Sequence, residues 1–189
     1  MDLDHDENNL LGNLELDQVM YDHTILLEEL KISRDYIKAY WDCFSDEELF
    51  RVPSGCSASP AQHIGHIAYT EKELGKKIGM SFPFKLDLFD DVFSTVSYPS
   101  PKEEMPKRDE LYVFVGEIHD VFMSELKYHK KREVLFAIVN HNYVHSAFLR
   151  GMVLRYGYDE PVTGPASNRV HVRMEPANLG RYFLPVFAN

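Results

Sequence analysis

Cysteine is scarce in this chain. Cys43 and Cys56 are its two cysteines in 189 residues, too few for a disulfide framework and not spaced as C-x-x-C. No apolar run is long enough to span a bilayer, so no membrane partner is expected. Positive charge is missing from the first thirty residues, which hold Asp2, Asp4, Asp6, Glu7, Glu15, Asp17, Asp22, Glu28 and Glu29 but no Lys or Arg. The formal net charge is −10, so the remainder is close to neutral and lacks the basic face that phosphate contacts require. No nucleic-acid partner is expected. The start, MDLDHDENNLLGNLELD, has neither the basic residues nor the apolar stretch of a signal peptide. The expected location is cytoplasmic.

Familiar catalytic motifs are absent as well. There is no GxxxxGK[ST] loop, no GxGxxG and no HExxH. Carboxylate-bridged di-iron bundles need Glu-x-x-His on two helices. The residues three before His23, His63, His66, His119, His129, His141 and His145 are Met20, Pro60, His63, Gly116, Leu126, Ile138 and Asn142, and none is Glu. A cysteine nucleophile finds little support. Cys43 falls opposite the apolar stripe of its helix, and Cys56 sits in a Ser/Gly loop without a base.

The chain does have the apolar content for a sizeable core, at 44% hydrophobic residues. Residues 1–15 read as a solvated acidic arm. From Leu16 to Phe44, Leu16, Val19, Met20, Leu27, Leu30, Ile37, Trp41 and Phe44 follow helical spacing, with His23 and Arg34 on the same stripe. His23 reads as a satisfied core histidine, and Arg34 as a side chain that snorkels or pairs with a carboxylate. Ser45-Asp46-Glu47-Glu48 is a capping box for a short helix that Pro53-Ser54-Gly55 ends.

Ser59-Pro60-Ala61-Gln62 opens the second long helix, with Ser as N-cap and Pro at the first position. That helix places Ile64, Ile67, Leu74 and Ile78 on one face, carries His63 and His66, and has Glu71 near the middle of the stripe. An ion pair with a residue such as Arg34 is one reading of Glu71. Residues 79–106 are rich in Pro, Phe and Leu and predict a long ordered crossover with a short helix. A third long helix is expected over about Lys107 to Tyr128, and a fourth over Val134 to Tyr156 with Gly157 as its C′ glycine. Beyond it, NRVHVRM and RYFLPVF alternate like strands. The expected fold is all-α: a four-helix bundle over residues 16–157 with one long crossover, and a C-terminal extension over 158–189, read as a β-hairpin or arm packed on it.

The fourth long helix carries the chemistry. At 100° per residue, Val134, Ile138, Phe148, Leu149, Met152 and Tyr156 gather on one face, and His141 and His145 fall among them, four residues apart. Burying an imidazole costs free energy unless its nitrogens find partners. Two at this spacing either share a metal ion or bond separately to other helices. If a metal is the partner, one histidine from the second long helix completes three ligands and leaves a position open for water or substrate. Helical arithmetic places His63 nearer the apolar stripe than His66.

The segment SPAQHIGHIAYTE, followed about 70 residues later by HNYVHSAFLRGMVLRYGY, resembles the DinB-like (damage-inducible, YfiT-like) superfamily of four-helix-bundle metalloproteins. The resemblance covers about residues 16–157, including SDEELFRVPSG. It implies His66, His141 and His145 as ligands of a divalent ion, with Zn, Ni or Fe as candidates, and leaves catalytic residues unassigned. His63, Glu71, Arg34 and His23 become candidates for outer positions or a substrate pocket. The family's activities imply a metal-dependent enzyme, a thiol S-transferase or hydrolase, acting on a small molecule such as a low-molecular-weight thiol. The alternative is a non-catalytic metal-binding stress-response or protein-interaction module. A homodimer is the expected assembly. If the apo histidines hold protons, affinity should fall between about pH 7 and 5 with a slope approaching three protons per ion, whereas burial would lower the window.

Overall fold

A computed structural model describes residues 23–96, 104–126, 128–129, 131–159 and 161. The acidic arm, the start of the first helix from Leu16, part of the crossover and nearly all of the C-terminal extension with its expected hairpin lie outside these residues. The helices are α1 (His23–Cys43), α2 (Asp46–Phe50), α3 (Pro60–Lys77), α4 (Asp90–Phe93), α5 (Arg108–Glu125) and α6 (Arg132–Arg155), with a 3-10 turn over Phe84–Asp87. Four main helices, α1, α3, α5 and α6, pack as a bundle, α1 against α6 and α3 against both α5 and α6. No helix among the described residues is long and apolar enough to cross a membrane.

Local signals set the helix ends. Ser45 and Glu48 cap each other's backbone at the start of α2. The Ser59 side chain accepts from the Gln62 N–H, with Pro60 as the first residue of α3. At the far ends of α3 and α6 the chain turns through Gly79 (φ 93°) and Gly157 (φ 80°), a backbone region that side chains disfavour. The orphan carbonyls of α6 are satisfied there, Gly157 N–H donating to Leu154 and Tyr158 N–H to Val153.

Between α1 and α5 the contact is made by side chains. Trp41 meets Tyr112 edge-on at 5.9 Å between ring centres. Arg108 lies over the Trp41 ring and donates to the carbonyls of Trp41 and Phe44. The crossover is pinned to α3 by a buried cation. Lys72 is fully buried and donates to the Leu86 carbonyl at 2.8 Å, to Asp87 at 2.8 Å, and to Asp90. Leu86, Val92 and Phe93 then close over the core. Nothing in the spacing of Lys72 marks it as internal; the partners arrive from the crossover.

One face of α6 differs from its sequence reading. The buried residues are Leu135, Ile138, Val139, Asn142, His145, Ser146, Leu149, Met152 and Val153, so the core face centres nearer Asn142 and Ser146 than the apolar pattern implied. His141 and Phe148, seven residues apart, fall at its edge, and Phe148 is 47% exposed. The cause is that two buried polar residues occupy positions a hydrophobicity pattern assigns to solvent.

Candidate metal centre

α3 and α6 pack directly, and their contact brings His66, His141 and His145 together with one candidate ligand atom from each, all within 4.8 Å of one another. Ring centres lie 4.4 Å apart for His141 and His145, and 5.1 Å from His66 to each of them. The pair on α6 meets because residues four apart stack on a helix. His63, one turn before His66, is buried and lies outside this trio, although its Nδ1 is 2.7 Å from that of His145.

Each ring of the trio has one nitrogen engaged by the protein. His66 Nδ1–H donates to the Phe93 carbonyl at 2.7 Å, His141 Nε2 pairs with the Thr70 hydroxyl at 3.3 Å, and His145 Nδ1 pairs with His63. Such contacts orient metal-ligating imidazoles and leave the other nitrogen for the ion. His141 Nδ1 is buried without a hydrogen-bond partner among the described residues, an orphaned acceptor that a cation would satisfy. Three imidazoles suit Zn, Ni or Fe, so the donor set fits a divalent ion without selecting one.

Burial keeps the cluster neutral. Burial first, then the neighbouring His66, lower the His63 pKa to about 4. His141 is lowered to about 4 by burial and His66, against an upward pull from Glu71. His145 is lowered to about 2 by burial and the three surrounding histidines, and burial lowers His66 despite its bond to Phe93. Unfolded histidines titrate near 6.5. Below that pH the unfolded chain takes up protons that the folded one refuses, so the apo fold loses stability as pH falls. His63, His141 and His145 together give a slope approaching about 4 kcal/mol per pH unit once all three are protonated only in the unfolded chain. Urea unfolding of metal-free protein at pH 7 and pH 5 should show this loss; equal stabilities would contradict the neutral cluster. Proton competition with a metal correspondingly moves below pH 5 for His141 and His145, below the window expected from unperturbed histidines.

The other residues singled out in the sequence take different places. Glu71 is fully buried and accepts from Arg34 Nε at 2.9 Å, from the second arm of that guanidinium, and from Asn142 Nδ2 at 3.2 Å. His119 Nδ1 lies 3.4 Å from the same carboxylate. Burial raises the Glu71 pKa, but Arg34 and His119 outweigh it and hold the carboxyl down at about 2. Arg34 and Glu71 therefore form a buried ion pair. His23 opens α1 half-buried, with Nε2 unpartnered among the described residues, and is not in the trio.

Thr70, Asn142 and the Phe93 carbonyl were not anticipated. Thr70 was findable, since it lies four residues after His66 on the same helix face; Asn142, beside His141, offered only a weak signal. The Phe93 carbonyl is a backbone atom delivered by the crossover, and no residue type announces it. Gly65 permits that delivery, because a Cβ there would overlap the Phe93 ring. A Cβ this far inside the ring puts the overpacking cost of Gly65→Ala at the upper end, about 2–3 kcal/mol, and about 1 kcal/mol of helix propensity gained leaves a net loss of about 1–2 kcal/mol. Denaturant midpoints check this, and an unchanged or raised midpoint would mean that Phe93 moves aside freely.

A family model described as DinB superfamily matches residues 29–149. No similarity to a curated protein or to a solved structure reaches significance.

Proposed function

The chain belongs to the DinB superfamily, and we propose that it is a divalent-metal enzyme acting on a small thiol or thiol-reactive molecule, with His66, His141 and His145 as ligands. One observation supports the metal in this reading, while the thiol chemistry rests on the family resemblance alone. Three neutral imidazoles converge with one nitrogen of each bonded to Phe93, Thr70 or His63, so the remaining nitrogens are available to a cation. A divalent ion held by three protein ligands supplies Lewis acidity that activates a bound thiol or water. The chain's own residues hold the imidazoles neutral and fix their orientation.

Elemental analysis of the purified protein should find about one divalent ion per chain, in keeping with three protein ligands on a single ion. A thiol-conjugation screen with low-molecular-weight thiols and electrophiles should show turnover that a chelator removes and added metal restores. Turnover unaffected by thorough metal removal would sink the proposal.

A second reading, a metal-binding module without turnover, draws on the covering of the site. His145 is only 5% exposed, and the Phe148 ring lies 6.2 Å from it. Metal bound at full occupancy, with no turnover across the screen, would favour this alternative.

A further inference from the structure

His63 is used by neither reading as a ligand, yet it is built into the centre. It is 2% exposed, its Nδ1 is 2.7 Å from His145 Nδ1, and Phe148 stacks on it with centroids 5.2 Å apart and planes at 20°. Two ring nitrogens this close share one proton, because two lone pairs or two N–H groups would repel. If His63 donated, His145 would carry its own proton on Nε2, and that nitrogen could not ligate. If His145 donates from Nδ1, its Nε2 lone pair is free.

We propose that His63 is a positioning residue for the metal centre: its Nδ1 accepts the Nδ1–H of His145 and fixes the tautomer that presents His145 Nε2 to a divalent cation. The inference rests on the reading of His145 as a ligand. It also has a chemical consequence. A carboxylate in this role would add negative charge beside the ion, whereas a neutral imidazole leaves the cation's full charge to attract an anionic thiolate.

The test uses the full chain, Zn2+ affinity measured by competition with a chromophoric chelator, and Co2+ absorption spectra. His63→Leu removes the acceptor at similar bulk. His63→Asn places an oxygen the same number of bonds from Cβ as Nδ1, and so restores an acceptor there. The leucine variant should bind Zn2+ about 10–100-fold more weakly. The asparagine variant should recover most of that loss, with a Co2+ spectrum like that of the wild type. Leucine binding as tightly as wild type overturns the proposal. So does equal weakening in both variants, and a changed Co2+ spectrum would then identify His63 as a ligand itself. Histidine 15N spectra of metal-free wild type give a check that needs no variant to fold: His145 protonated on Nδ1 supports the assignment, and on Nε2 refutes it. A wild type that takes up no Zn2+ removes the metal site, and this inference with it.

Discussion

Alanine at His141 or at His145 is expected to abolish stoichiometric metal binding while the bundle stays folded. Either change reduces three imidazoles to two, so the loss should exceed the roughly 10–100-fold typical of residues that only orient a ligand. The fold should survive because neither ring makes the core. α1 and α6 pack through Leu26, Leu30, Leu135, Ile138 and Val139, and α3 is held by Ile64, Ile67, Ala68 and Leu149. The apo protein moreover buries these imidazoles uncharged, with His141 Nδ1 unpartnered among the described residues, so truncation removes a desolvated polar group as well as its contacts. Elemental analysis after dialysis, with far-UV circular dichroism as the control, decides the matter. Full occupancy in either variant would make the pair structural. His66→Ala should behave in the same way.

Among the substitutions, the largest effect on stability should come from Arg34. Arg34→Met leaves the Glu71 carboxylate fully buried with its principal counter-charge gone. Removing one partner of a buried pair typically costs about 3–5 kcal/mol, because the remaining charge stays desolvated. Asn142 Nδ2 and His119 lie beside Glu71, so part of that cost is offset and the lower end of the range is expected. Replacing both, Arg34→Met with Glu71→Leu, should recover most of the loss. Denaturant titrations of the two single variants and the double variant test this as a cycle. A loss below about 1 kcal/mol in Arg34→Met would mean that water or His119 already satisfies the carboxylate.

This pair shows how far the sequence could be read. Arg34 and Glu71 were each visible as a charge on an apolar stripe, and their pairing was one reading among several. Only the bundle, which brings the side chains of Arg34 on α1 and Glu71 on α3 together in its interior, made it the reading that holds, since the two residues are 37 positions apart. His63 and His66 show the same division. Helical arithmetic put His63 closer to the core, the family resemblance put His66 in the trio, and the fold has His63 buried and His66 clustered with His141 and His145. Phe148 shows the limit. Its spacing assigned it to the core stripe of α6, but Asn142 and Ser146 take the buried positions and leave its ring half outside.

What the sequence determined by itself was everything governed by short range. The helix starts at Ser45 and Ser59, the stop at Gly157 and the stacking of His141 on His145 follow from backbone geometry within a few residues. Tertiary structure decided what depends on partners distant along the chain. It determined that Lys72 is buried against Asp87 and Asp90, that the Phe93 carbonyl orients His66, and that His145 faces His63 across 82 positions. The physical reason is burial. A polar group inside a protein is stable only with its partner in place, and residue type alone names the need without naming the partner.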